Sequence, residues 1–568
     1  MFHTRVPGFG NTTNLNRKRL RRRLTSPVVG RRSRPSLEVL ETRQLLSTYA
    51  VTNTGDNLGI DPQPGAGTGT LRQAIVDADA SSSPADIVFN IPAMAPNDLP
   101  VPGFDPVTQD WTITLNSPLP AITDTVSIDG YTEANGGGVP YLYPANPDPV
   151  YIHSIPNTID AKDGNNAEER VIIDGSQIPP GPTPTIGFEL DASHSLLRGL
   201  IISGFSVGVS VSAFDTSLNP VVGDLIQGNT IGDYFTFPVD TDTGTALQSP
   251  DNVEFVRAGN AQQGVVLNSS NTTVGGSNPQ ENNIICGNGA QGILVQPGAS
   301  GNQILGNQIG MAGPSINGLY VQDGNGAEGV LIESTGSLSD PQGIVYASSN
   351  YVGSATGGNV ISGNGGAGVQ LVGVGAIRNL IQGNYIGVAP RGGYLFGTGD
   401  PGNGSDGVLI EDGSQNEIGG SSAALGNTID SNHGAGIYIT GLATDNVAAN
   451  NMIGVTADGS QVLGNWAEGV AVYSPSNTIG PGNVISQNLL GIGIYGPDGS
   501  TPGTASDILV VDNLIGTDGT GEQGFGNATE GVLIDNSSDN TIQGNASGSQ
   551  VISGSQVGVE LNGAQSTG

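Results

Sequence analysis

The chain has 568 residues, 90 of them glycine, with 51 Asp and Glu against 18 Lys and Arg, a formal net charge of −33 and a single cysteine. One cysteine excludes an internal disulfide, irregular glycine spacing excludes a collagen triple helix, and no apolar run reaches the roughly 18 residues of a membrane-crossing helix. The acidity opposes nucleic acid and anionic lipid as partners, and regularly recurring Val, Ile and Leu favour a packed repeat over a low-complexity chain.

Charge is uneven along the chain. Glu38 and Glu41 are the only acids before Thr48, and beyond it the only cationic Lys and Arg are Arg72, Lys162, Arg170, Arg198, Arg257, Arg378 and Arg391. Residues 1–34 are basic and polar, with Arg17-Lys18-Arg19 and Arg21-Arg22-Arg23, and lack the apolar stretch of an ordinary secretory signal. Leu37-Glu38-Val39-Leu40-Glu41-Thr42-Arg43-Gln44-Leu45-Leu46-Ser47 follows. This resembles the LExLExRxLLS segment near the start of many large extracellular proteins of planctomycete type, and the resemblance implies export or sorting to the cell surface. Residues 1–47 therefore read as a mostly disordered export segment outside the fold.

Residues 48–110 read as a cap. Tyr49–Asn53 suits a strand, and Leu71, Ala74, Ile75 and Ala78 share one face of a helix over 70–79. Thr70 and Gln73 are spaced for a capping box. Asp86-Ile87-Val88-Phe89-Asn90 starts another strand. An amphipathic helix at this place covers the open end that a solenoid must protect.

Residues 111–568 read as repeats. An Asn-x-Ile-Gly phrase recurs at Asn229, Asn307, Asn384, Asn451 and Asn513, and a phrase like Asn-Val-Ile-Ser-Gly-Asn at Asn283, Asn359, Asn427 and Asn483. Gly-Val-x-aliphatic stands at Gly264, Gly329, Gly407, Gly469 and Gly531, and a related phrase at Gly292, Gly368, Gly436 and Gly558. Each is long enough for a short strand and too short for a helix. Its second and fourth residues are aliphatic and the one between varies, so one face points into a core and the other outward. Outward Val266, Leu331, Leu409 and Leu533 are apolar, and loops are expected to cover them. Gly-Asn and Asn-Gly pairs suit corners needing positive φ, and stacked Asn residues are expected to bond along the rod. Roughly fifteen coils at about 4.8 Å would give a rod on the order of 70 Å. Cys286 stands where sibling repeats carry Ser362, Ser486 and Ser553, so it reads as a small structural substitution.

The order strand, Thr70-Leu71-Arg72-Gln73-Ala74-Ile75 helix, Asp86–Asn90 strand resembles the start of bacterial β-helix surface proteins, and Ile122-Thr123-Asp124 and Ile128–Thr132 extend the likeness. It implies an all-β fold, a right-handed single-stranded parallel β-helix of the pectin-lyase-like superfamily with a short N-terminal capping helix. The crossover rule agrees on the hand.

That superfamily holds polysaccharide lyases, polygalacturonases and non-catalytic adhesins. Beyond the basic arm the chain has no Asp-Asp pair, no Gly-His-Gly and no Arg-x-Lys. Asn432-His433-Gly434 is the nearest approach, and His433 reads as a turn variant of Gly365 and Leu489. The richest neighbourhood for polysaccharide contact is Arg378, the insertion carrying Arg391, Tyr394 and Phe396, and then Asp400 and Asp406, which joins cations, aromatics and carboxylates. Asp240 with Asp242, and Asp163 with Asn165, are the candidate Ca²⁺ ligands, without an EF-hand pattern. Catalytic residues are not assigned. The expected protein is a secreted or cell-surface, acidic, non-catalytic β-helix for adhesion, matrix or polysaccharide contact, part of a longer surface protein if the last coil is open. The alternative is a pectin-lyase-like lyase or glycoside hydrolase.

Overall fold

The computed structural model describes residues 46–81, 84–97, 99–133, 154–236, 254–312, 321–388, 401–456, 463–497, 503–544 and 549–566, all within the unit Leu45–Gly568. Arg391, Tyr394, Phe396, Asp400, Asp240 and Asp242 lie outside these residues.

Three long parallel sheets wind as a β-helix. Sheet 1 has 14 strands, from Ser47–Val51 to Thr541–Gln543. Sheet 2 has 13, from Trp111–Thr114 to Val551–Ile552, and sheet 3 has 12, from Ile186–Leu190 to Val557–Asn562. The stack is therefore slightly shorter than the roughly fifteen coils anticipated, on the order of 60 Å at 4.8 Å per coil. The reason is that several coils carry long insertions. Some leave the coils after the sheet 2 strands Thr230–Gly232, Gln308–Ile309 and Tyr385–Ile386, and the hairpin of Thr335–Ser337 and Asp340–Val345 leaves after a sheet 3 strand. Ser47–Val51 and Ala85–Phe89 are the first two strands of sheet 1, paired from Ser47↔Ala85 to Val51↔Phe89.

The two Asn phrases occupy one sheet. Ile231, Ile285, Ile309, Ile361, Ile386, Ile429, Ile453, Ile485 and Ile515 form a single in-register column in sheet 2. Each of these side chains is fully buried. Both glycine phrases likewise share sheet 3. Their leading glycine has a steric cause: at Gly407 a Cβ would lie 2.4 Å from Ile429 Cγ2 and 2.9 Å from Asn432 Nδ2 of the next coil.

The corners are held by asparagine ladders. In the ladder between sheets 1 and 2, Asn384 Nδ2 donates to Asn427 Oδ1 at 3.0 Å and Asn427 Nδ2 to Asn451 Oδ1 at 2.9 Å. Asn427 Nδ2 also donates to the carbonyl of Ile381 at 2.7 Å. A second ladder, between sheets 2 and 3, runs through Asn364, Asn403, Asn432, Asn465 and Asn488. A third, before sheet 1, runs through Asn350, Asn379, Asn416, Asn446 and Asn477. Each buried amide so satisfies corner carbonyls and N–H groups that no strand partner reaches. Cys286 is buried, as expected of a structural residue, and its Sγ lies 3.4 Å from the carbonyl of Asp233. Ser362 and Ser486 make comparable bonds to Val388 and Thr517.

The third ladder begins imperfectly. Asp224 fills an Asn place, fully buried, with Oδ1 accepting the Ser195 N–H at 2.8 Å and Oδ2 without a hydrogen-bond partner. Burial raises its carboxyl to about 7, with the Ser195 N–H working against that shift. A folded pKa above the unfolded value means that the unfolded chain ionises first. Stability is then greatest below about pH 4 and is lost as pH rises toward 7. Asp224→Asn is expected to stabilise the early coils by about 1–3 kcal/mol at pH 8 and to do nothing at pH 4, read by hydrogen exchange of residues 195–230 at both pH values.

The α-helix Leu71–Asp79 matches the anticipated span, with Thr70 at its N-cap accepting from Gln73 N at 3.2 Å. The reciprocal half of the capping box is not made, because the Gln73 side chain turns to the Gln63 carbonyl and to Asp77. At the other end Val559 and Leu561 of strand Val557–Asn562 are exposed.

Candidate functional site

The outward middle row of sheet 3 reads Val266, Leu294, Leu331, Gln370, Leu409, Tyr438, Ala471, Gly493 and Leu533 along the coils. At its start Val266 and Leu294 are buried in a small cluster with Val207, Ile186 and Leu331, so this part of the apolar stripe is packed. Further along, the row changes character.

Gly493 leaves an open place on the sheet surface, and the ring of Tyr495 fills it. A Cβ at Gly493 would lie 2.6 Å from both the ring edge and the hydroxyl of Tyr495. The tyrosine thus lies along its own strand, and its hydroxyl donates to Glu468 Oε1 on the preceding coil at 2.5 Å. Tyr473 stacks on it, with centroids 4.5 Å apart and planes at 21°. Tyr438 meets Tyr473 edge-on at 5.2 Å and 89°. All three tyrosines are half-buried. At the head of the same strands Trp466 stacks on His433, centroids 4.3 Å apart, and is 62% exposed. His433 is thus a turn residue, as read from the repeats, and also half of an aromatic pair.

Carboxylates rim these rings. Burial raises Tyr473 to about 12, assisted by Glu468, Tyr438 and Asp535, and the same neighbourhood pushes Tyr495 further up. Tyr438 rises through burial and then through Asp406, Glu468 and Glu411. The phenols therefore stay protonated at neutral pH and serve as hydrogen-bond donors. Asp406 is also raised, chiefly by burial, while its Oδ1 accepts the Ala435 N–H at 2.7 Å. Flat aromatic faces beside donors and acceptors form an amphipathic surface, apolar in body and polar at the edges.

Of the residues singled out in the sequence, Asp406 borders this platform. Arg378 does not. It lies beyond the opposite end of the preceding sheet 3 strand, Val369–Val372, exposed, with Nε donating to Gln415 at 3.1 Å. Asp163 pairs with Lys162, which also reaches Asp160 at 3.4 Å. Asn165 accepts the N–H of Ala167 at 2.8 Å. These last residues sit in a segment laid across sheet 2, where Gln308 Nε2 donates to the Ala161 carbonyl at 3.1 Å. Among the described residues no three His, Cys, Asp or Glu side chains gather to hold a metal. The tyrosines were missed in the sequence because two of them follow the second aliphatic residue of the phrase. Counting one position further outward would have aligned them.

No protein-family profile and no curated protein matches this chain. Several solved structures are similar. The A-module of mannuronan C-5 epimerase AlgE6 from Azotobacter vinelandii is 14% identical, with 91% of this chain and 99% of that one covered and a TM-score of 0.40. The catalytic domain of a GH87 α-1,3-glucanase is 13% identical over 91% of this chain and 69% of that one, at 0.38. Tailspike protein 3 of bacteriophage CBA120 is 11% identical over 88% and 59%, at 0.33. At such identities and scores the likeness carries nothing about activity.

Proposed function

We propose that this chain is an extracellular, non-catalytic β-helix that binds polysaccharide on the outer face of sheet 3. The observation that carries the reading is the Tyr473–Tyr495 stack with Glu468 bonded at its edge. Sugar rings present C–H faces to aromatic planes and hydroxyls to carboxylates, and this surface offers both on a backbone fixed by ladders. The absence from the sequence of Asp-Asp, Gly-His-Gly and, past the basic arm, Arg-x-Lys supports binding without cleavage. The Leu37–Ser47 segment and the acidity of the coils support export.

Tyr473→Ala is expected to weaken retention on an immobilised polysaccharide panel about tenfold, the equivalent of roughly 1.4 kcal/mol, with an unchanged far-ultraviolet spectrum. Retention equal to that of the parent chain would remove the platform from the reading. Release of new chain ends from any polymer of the panel would replace binding with catalysis.

A further inference from the structure

The platform has a one-sided charge. Every Lys and Arg in the chain lies at or before Arg391, so the coils bearing the tyrosines carry no Lys or Arg at all. Among the described residues the ion pairs involve Asp56, Asp61, Asp110, Asp129, Asp160, Asp163, Glu168 and Asp323. Asp406, Glu411, Glu468 and Asp535 belong to none of them. Arg378, the nearest described arginine in the sequence, is engaged with Gln415 past the end of its strand.

Aromatic faces are negative through their quadrupole and attract cations, the more strongly when partly desolvated. Here the faces are half-buried and ringed by carboxylates that, among the described residues, pair with no Lys or Arg. A neutral sugar gains stacking from this surface but nothing from its field. A uronate is repelled by it. A sugar bearing an ammonium group gains stacking, cation–π attraction and a carboxylate partner together. We infer that the platform selects glycan chains of free amino sugars, the ammonium lying between the Tyr473 and Tyr495 rings and Glu468. This rests on the proposed reading of the face as carbohydrate-binding, and names its ligand class.

The test uses the full chain and three β-1,4-linked hexasaccharides of equal length, made of glucosamine, N-acetylglucosamine or glucose, titrated at mildly acidic pH and physiological salt. The glucosamine probe is expected to bind at least about tenfold tighter than the other two. Glu468→Gln still accepts the Tyr495 hydroxyl, so the fold is kept, and it should bring the glucosamine probe down to the N-acetylated one. Glu417→Gln, in strand Glu417–Gly419 of sheet 1, removes one charge from another face and should change nothing. Equal affinity for all three probes, lost together in Tyr473→Ala, would overturn the selectivity and leave the carbohydrate-binding reading standing. Equal losses from Glu468→Gln and Glu417→Gln would reduce the preference to general attraction by an acidic rod and overturn the inference. No binding of any probe would overturn the inference, and no retention on the polysaccharide panel either would overturn the carbohydrate-binding reading with it.

Discussion

Arg72→Met is expected to destabilise the first coils by about 3–5 kcal/mol. Arg72 is 1% exposed on the capping helix, and its guanidinium meets Asp56 and Asp61, each at 2.8 Å. It also donates to the carbonyls of Ser117 and Pro118 at 2.8 Å. One side chain thus joins the helix to the loop before it and to the turn after strand Trp111–Thr114. Methionine keeps much of the volume but leaves Asp56 a buried carboxylate, 6% exposed, with no countercharge, and breaking a buried pair costs more than the pair contributes. Because coils contact only their neighbours, unfolding is local before it is global. The readout is therefore hydrogen exchange of residues 47–130. Protection lost there and kept beyond residue 400 is the expected pattern. Unchanged protection in the cap would show that the helix is held by its apolar face alone. An Arg72→Met, Asp56→Asn double change should recover part of the loss, because the orphaned charge is removed as well.

Asn427→Ala is the second large effect, about 3–5 kcal/mol localised to two or three coils. The side chain of Asn427 is 1% exposed and takes part in four bonds: it donates to Asn451 Oδ1 and Ile381 O, and accepts from both the backbone N–H and Nδ2 of Asn384. Alanine takes the side-chain acceptor from the Asn384 N–H, leaves Asn384 Nδ2 with only the Val352 carbonyl, and removes a donor from the Ile381 carbonyl, at roughly 1–3 kcal/mol for each buried group left short before relaxation. The neighbouring Asn427→Ser change retains an acceptor and should cost less. Local exchange in strands Tyr385–Ile386, Thr428–Ile429 and Met452–Ile453 measures it. If the protection of these strands is equal in both variants and the parent, the ladder is ornamental to stability and only the apolar column holds the coils.

The architecture was legible because its causes are local. A glycine, an aliphatic pair and an asparagine recur wherever the chain must pass close to its neighbour, fill the core and turn a corner, and these three demands repeat with every coil. The capping helix was legible through its apolar spacing. Arg72 was not, since a charged residue in a surface helix reads as solvated, and only the loop folded back over it buries it. The two Asn phrases read as different elements because insertions follow one and not the other, yet their isoleucines share a column. The candidate site was legible in one residue, Asp406. Arg378 looked like its companion because it brings a cation close in sequence to the aromatic and acidic residues, but it follows strand Val369–Val372 while Asp406 precedes strand Val408–Glu411, so the two lie beyond opposite strand ends. Tyr473 and Tyr495 come from consecutive coils, and their stacking depends on a register that sequence distance hides.

The asparagine ladder also bears on how this protein ages. Asn288, Asn325, Asn364 and Asn403 are each followed by glycine, the pairing most prone to spontaneous deamidation. That reaction needs the glycine nitrogen to attack the asparagine side-chain carbonyl and close a succinimide ring. In each of these pairs the nitrogen instead donates to the asparagine carbonyl one coil back, from Gly289 to Asn260, Gly326 to Asn288, Gly365 to Asn325 and Gly404 to Asn364, at 2.7–2.8 Å. The side chains are at the same time pinned to the next rung. The winding that makes the rod therefore also shields these four pairs from their weakest covalent chemistry, whereas Asn562-Gly563, at the end of strand Val557–Asn562, is exposed.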